Sequence, residues 1–197
     1  SWGAVINTMV ICQNLANELR ALKSFYVLGD KGETQDDLAD AFIKYYQHHP
    51  TKVLNLFYDN TGNNRTGNTK LTRAQQFMKR LTAGGWRVVP LTEGGANVKH
   101  ETKHHIWEAI LRETDMRLPR FRINSTNARD LLVSMQNAQV IATSTGFKKD
   151  KSSERRLRSG DRHLATDLSD AIDTMIYSLY RTKVHQSGIS LPESRIS

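Results

Sequence analysis

Two different hydrophobic periods follow one another along this chain. From Asn7 to Gln13 apolar and polar residues alternate loosely, and after the polar turn Asn14-Leu15-Ala16-Asn17 a second run, Leu19 to Leu28, is rich in Val, Phe and Tyr. Two such runs about a short Asn-containing turn predict an antiparallel hairpin. Between Glu33 and His49 the period lengthens: Leu38, Ala41, Phe42, Tyr45 and Tyr46 share one face of a helix that Pro50 ends. Val53 to Tyr58 is short and apolar and predicts a buried strand, followed by an Asn/Thr/Gly-rich loop from Asp59 to Lys70. Thr72 with Gln75 makes a capping box for a helix to Ala83, closed by Gly84-Gly85. Trp86 to Leu91 reads as a strand, Lys99 to Glu113 as a helix with Ile106, Ala109 and Ile110 on one face, and Phe121 to Ile123 as a short strand. Asn124 or Ser125 then caps a helix bearing Ala128, Leu131, Leu132 and Met135. Gln139 to Phe147 reads as extended, with Gly146 at a bend. Leu168, Ala171, Ile172, Met175, Ile176 and Leu179 define a last helix, and the tail after Arg181 has no apolar period.

A hairpin followed by strands alternating with helices predicts an α/β fold on a mixed sheet. Length and composition agree: 197 residues, 38% of them hydrophobic, suffice for one compact domain or two small ones. No apolar run approaches membrane-spanning length, and no secretory leader is expected. The single cysteine, Cys12, excludes an intramolecular disulfide framework and any multi-cysteine zinc site. The charge changes the picture most. A net +8 favours a polyanionic partner, with nucleic acid ahead of a membrane. Seven basic and three acidic residues lie between Phe147 and Arg162, so half of that excess sits in sixteen positions. Lys148, Lys149, Lys151, Arg155, Arg156 and Arg158 suit phosphate oxygens rather than base edges.

Four patterns carry candidate chemistry. His100-Glu101-Thr102-Lys103-His104 spells the zinc-protease helix motif. Lys103 would put a cation beside the metal, however, and an exposed polar helix start is the reading taken. Gly62 to Thr69 is one residue from a phosphate-binding loop, but Asn68 stands where the lysine is required and Lys70 is two positions late. A loop whose amides touch a phosphodiester fits better than nucleotide hydrolysis. Asp59 ends an apolar strand and opens a loop, the place from which sheet enzymes present catalytic groups, though an acid opening a turn has the same appearance. Asp167, Asp170 and Asp173 lie at i, i+3 and i+6, on the side of the last helix opposite its apolar stripe. A divalent metal would relieve their mutual repulsion, and such hard oxygen donors suit Mg²⁺ or Mn²⁺ rather than zinc.

Five landmarks in order resemble the nuclease domain of the large terminase subunit of tailed bacteriophages and prophages. They are Trp2 to Asn7 leading into Met9 to Gln13, Phe57-Tyr58-Asp59-Asn60-Thr61-Gly62, Phe121-Arg122-Ile123-Asn124, Lys148 to Glu154, and Ala165-Thr166-Asp167-Leu168-Ser169-Asp170-Ala171. The resemblance implies a ribonuclease H-like mixed β-sheet flanked by helices over residues 1–181, with 182–197 as a C-terminal tail and an ATPase domain upstream. It implies a two-metal Mg²⁺ or Mn²⁺ centre that cuts double-stranded concatemeric viral DNA during packaging. Asp59 would be the second-strand acid, Asp170 the helix acid and Asp167 a further ligand at a place where many members have His. Lys149 or Lys151 would lie near the scissile phosphate, with Asp173 supporting. The implied partners are DNA, the portal or procapsid and the small terminase subunit, with no membrane, in the host cytoplasm. In that family the first acid sits on the central strand just before the residue matching Trp2. Ser1 has that place here, so the strand and its acid are expected upstream of this sequence. Two other readings stand beside this one: a non-catalytic basic DNA clamp, and a recombinase-type nuclease of the same fold.

Overall fold

The computed structural model describes residues 5–65, 70–91, 100–144, 146–157 and 159–186. β1 (Ile6–Asn14) and β2 (Glu18–Leu28) form the expected hairpin, antiparallel from Ile6–Leu28 to Asn14–Leu19, with a bulge between Ile11 and Cys12. The looseness of the β1 alternation has a structural cause. Met9 and Ile11 pack into one apolar cluster while Val10 and Cys12 pack against another, so neither face of the strand is polar.

α1 (Gln35–Tyr45) starts at a capping box made by Thr34 and Asp37. It ends at Tyr46, well before Pro50, and this corrects the longer helix expected from the apolar period. Ala39 is fully buried, whereas Tyr45, the last residue of the helix, is 49% exposed. β3 (Val53–Leu56) is shorter than expected and is not buried along its length, because Val53 and Asn55 are exposed.

α2 (Arg73–Ala83) has the expected box. The Thr72 hydroxyl accepts from the Gln75 amide at 3.2 Å, and the Gln75 side chain accepts from the Thr72 amide at 2.8 Å. Thr72→Ala should therefore cost about 1 kcal/mol, read as a lower urea midpoint at unchanged slope. An unmoved midpoint would show that the cap contributes nothing. A Cβ at Gly84 would meet Ile43 Cδ1 at 2.4 Å, so only glycine lets the end of α2 approach α1 this closely. Gly85 follows with φ +85°, the left-handed turn that glycine accepts without strain.

β4 (Arg87–Pro90) pairs in parallel with β3. α3 (His100–Arg112) buries Ile106, Ala109 and Ile110, and β5 (Arg120–Ile123) adds in parallel to β2. α4 (Arg129–Asn137) begins later than expected: the Asn124 carboxamide accepts from the amides of Thr126 and Asn127 and caps a preceding turn instead. β6 (Val140–Thr143) and β7 (Gly146–Lys149) form an antiparallel hairpin, so the stretch expected as one extended piece turns back on itself and carries the first basic residues on a strand. α5 (Ser152–Arg156) and a 3-10 turn (Ser159–Leu164) lead into α6 (Asp167–Gln186). α6 outruns the expected boundary at Arg181, and the reason is Val184, which is fully buried one turn after Tyr180.

The molecule is thus mixed α/β. One cluster gathers α3, α4, α6 and β5 around Leu19 and Ala21, while the other gathers α1, α2 and Trp86 around Phe25 and Val27. Among the described residues the strands fall into three sheets, in the orders β1-β2-β5, β3-β4 and β6-β7. Among the described residues no helix is long and apolar enough to cross a membrane.

Candidate functional site

The first turns of α6 concentrate acid, and the preceding segment concentrates base. Lys149, at the end of β7, points inward with a side chain only 11% exposed. Its ammonium has three protons to give and three acceptors: Ser169 Oγ at 3.0 Å, Asp170 Oδ1 at 2.7 Å and Asp173 Oδ2 at 2.6 Å. The other Asp170 oxygen accepts from Lys151 Nζ at 2.6 Å, and Asp173 Oδ1 accepts from the Trp107 indole at 2.8 Å. Arg162 pairs with Asp167 and lies 3.6 Å from Glu154, which also accepts from the Thr166 hydroxyl at 2.5 Å. Lys151 Nζ reaches Glu154 at 3.3 Å and links the two halves.

Burial and charge oppose each other in this network. Burial alone would raise the Asp170 carboxyl, but Lys149 and Lys151 outweigh it and hold the group down at about 2. Burial would likewise lower Lys149, and the carboxylates of Asp173 and Asp170 reverse that into an upward shift. Asp167 differs: burial dominates its pairing with Arg162, and its pKa is raised. Three cations, Lys149, Lys151 and Arg162, face four acids, Glu154, Asp167, Asp170 and Asp173. The formal balance, three minus four, is one negative charge in a half-buried site.

Two expectations need correction here. Asp173 does not lie opposite the apolar stripe of α6. It is 4% exposed and on the buried side of α6, with Ser169, Ile176 and Tyr180. Lys149, expected as a phosphate contact, has every proton committed to its own protein. Sequence reading also missed Trp107 and Glu154 as members of the network. The signal for Asp173 was present, because it precedes Ile176 by three and Tyr180 by seven on one helix face.

Asp59 follows β3 by three residues. Its carboxylate accepts from the Thr61 amide at 3.0 Å and the Thr61 hydroxyl at 2.5 Å and caps a 3-10 turn, Asn60–Asn63. Among the described residues no three His, Cys, Asp or Glu side chains are gathered to hold a metal. Asp59, Asp167 and Asp170 share the donor class that Mg²⁺ and Mn²⁺ prefer, without forming one ligand group in this arrangement.

Lys148, Lys151, Arg155 and Arg156 surround an open cleft of about 590 Å³, floored by Ile141 of β6. Lys148, Arg155 and Arg156 are exposed there. Arg158 lies outside the described residues, as do Thr66 to Thr69 of the glycine/asparagine loop and the side chains of His100 and Glu101. In comparisons with family models, with curated proteins and with solved structures, nothing matches this chain.

Proposed function

We propose that this chain is a ribonuclease H-like nuclease domain that binds double-stranded DNA and cuts it with Mg²⁺ or Mn²⁺, of the kind found in large terminase subunits. The observation that carries the reading is the acid-rich start of α6, one negative charge in surplus, set beside a basic cleft. Asp170, Asp167 and Asp59 would have to draw together to hold the metal, which would supply an activated water and charge neutralisation at the scissile phosphate. The chain's own residues do the rest. Lys148, Arg155 and Arg156 hold the phosphate backbone without reading its sequence. Lys149 fixes Asp170 and Asp173 against each other, and Trp107 fixes the ring-side oxygen of Asp173. Lys151, 45% exposed and bridging Asp170 to Glu154, is the cation placed to exchange its carboxylate for a phosphate. In the terminase reading the further partners are the portal or procapsid and the small subunit, in the host cytoplasm.

Plasmid nicking tests this. The chain should nick supercoiled DNA in millimolar Mn²⁺ and not in chelator, and Asp170→Asn, which keeps the shape and one acceptor oxygen, should abolish nicking while the fold persists. Nicking that survives in Asp170→Asn or in chelator overturns the metal site. Tight DNA binding with no nicking under any divalent metal replaces it by the non-catalytic clamp.

A further inference from the structure

Lys151 belongs to the basic cleft and to the acid network at once. It lines the cleft with Lys148, Arg155 and Arg156, and its ammonium reaches back to Asp170 Oδ2 at 2.6 Å and to Glu154 Oε1 at 3.3 Å. Lys149 lines the same cleft, but its side chain is largely buried and all three of its protons go to α6. Lys151 is the more exposed of the two, and its partners are two carboxylates.

The main chain around Lys151 is fixed, while its side chain is free to swing. The Asp150 carboxylate accepts from the Ser152 amide at 2.8 Å and from the Ser152 hydroxyl at 3.0 Å. The Lys151 carbonyl accepts from the Glu154 amide at 3.0 Å. These bonds hold the backbone between β7 and α5. The mobile part is a flexible stem with a point charge at its tip. Moving that tip from a carboxylate to a phosphate oxygen exchanges one charge-assisted bond for another of the same class. Lys148, Arg155 and Arg156 are the charges that would bring a phosphate within its reach.

Such a swing changes the site left behind. Asp170 Oδ1 is held by Lys149 and Oδ2 by Lys151, and Asp167 is held by Arg162. Cationic side chains of the protein thus stand against the carboxylate oxygens that a hard divalent cation prefers. Once Lys151 leaves, two cations face four acids, and the formal surplus grows from one negative charge to two, two minus four. The two carboxylates it bridged lose their shared cation together, and a divalent ion is the replacement of matching charge.

We infer, resting on the metal-dependent reading proposed above, that Lys151 is a latch: it keeps a divalent cation off Asp170 and Glu154 until a phosphodiester in the cleft draws its ammonium away. Metal is then taken up with DNA rather than before it, and Glu154 joins the groups that meet the metal. Linkage is reciprocal, so the metal tightens DNA binding by the same factor. A phosphate that binds the metal directly would also couple the two ligands, but only the latch makes that coupling depend on Lys151.

The test counts bound Mn²⁺ from the loss of the free-ion electron paramagnetic resonance signal, with and without a short duplex whose own Mn²⁺ uptake is subtracted. In the wild type the duplex should tighten Mn²⁺ binding by roughly ten-fold or more. Lys151→Ala should bind Mn²⁺ about ten-fold more tightly than the wild type with no DNA present, and the duplex should then add less than about two-fold. Lys148→Ala removes the same charge from the same cleft, but Lys148 is not a partner of Asp170. It should move the DNA-free affinity by less than about two-fold. Asp170→Asn added to Lys151→Ala should remove the gain. An unchanged DNA-free affinity in Lys151→Ala, an equal rise in Lys148→Ala, or a duplex effect as large in Lys151→Ala as in the wild type overturns the latch and leaves the metal site standing. No Mn²⁺ bound either by Lys151→Ala or by the wild type with duplex overturns the metal site itself, and the latch with it.

Discussion

Lys149→Met will destabilise the protein by about 3–5 kcal/mol, the cost of removing one partner from a buried ionic cluster. The residue is not a surface lysine whose charge is screened. Its three protons are taken by Ser169, Asp170 and Asp173, and its removal leaves two carboxylates facing each other beneath Trp107, with only Lys151 opposing them. The pH dependence gives the effect a signature that a cavity would not. In the wild type Asp170 is held at about 2, below its ordinary value, so its contribution is complete above the usual carboxylate range and is lost as the pH falls toward 2. In Lys149→Met the same carboxyl is pushed upward by Asp173, so the deficit should shrink as the pH drops from 7 to 4. Asp173→Asn added to Lys149→Met removes the repulsion while keeping an acceptor for Trp107, and it should recover part of the loss. Urea melts at pH 7 and pH 4 read all of this. A deficit below about 1 kcal/mol, or one that grows on acidification, would show that the cluster does not depend on its lysine.

Replacing Lys148, Arg155 and Arg156 together by glutamine should lower duplex DNA affinity roughly 100-fold at 0.1 M salt and flatten the slope of log K against log salt by about 2.7, at about 0.9 for each lost phosphate contact. These three are exposed around the cleft, so the melting temperature should not move. The loss should be equal for unrelated duplex sequences, because phosphate contacts carry no base information. Titrations at several salt concentrations measure it, and an unchanged slope would remove the cleft from the DNA-binding surface. Lys149→Met is the instructive contrast. It stands in the same basic run, yet its effect should fall on stability rather than on the salt slope.

That contrast shows what the amino-acid pattern could and could not disclose. Periodicity identified the hairpin, the capping box at Thr72 and the apolar stripe of α6, because each is set by neighbours within a few positions. Charge counting placed Lys148, Lys149, Lys151, Arg155 and Arg156 in one group. It could not divide them, since whether a lysine faces solvent or a buried acid depends on α6, some twenty residues later in the chain. Asp173 was misplaced because its acidity outweighed its helical phase with Ile176 and Tyr180. The interruption between β1 and β3 had no local signature either, for both read as ordinary strands.

The sealing of β1 by α6 also dictates an order of events during synthesis. The Thr8 hydroxyl donates to the Asp167 carbonyl, and the Tyr180 hydroxyl donates to Asn14, across 159 and 166 residues of chain. β1 therefore waits for α6, with the apolar side of Val10 and Cys12 uncovered until synthesis has passed that helix. Contacts of that sequence separation slow folding, because most of the loop-closure entropy is lost before they form. Until then the β1–β2 hairpin is open to mispairing with other nascent chains and to capture by chaperones.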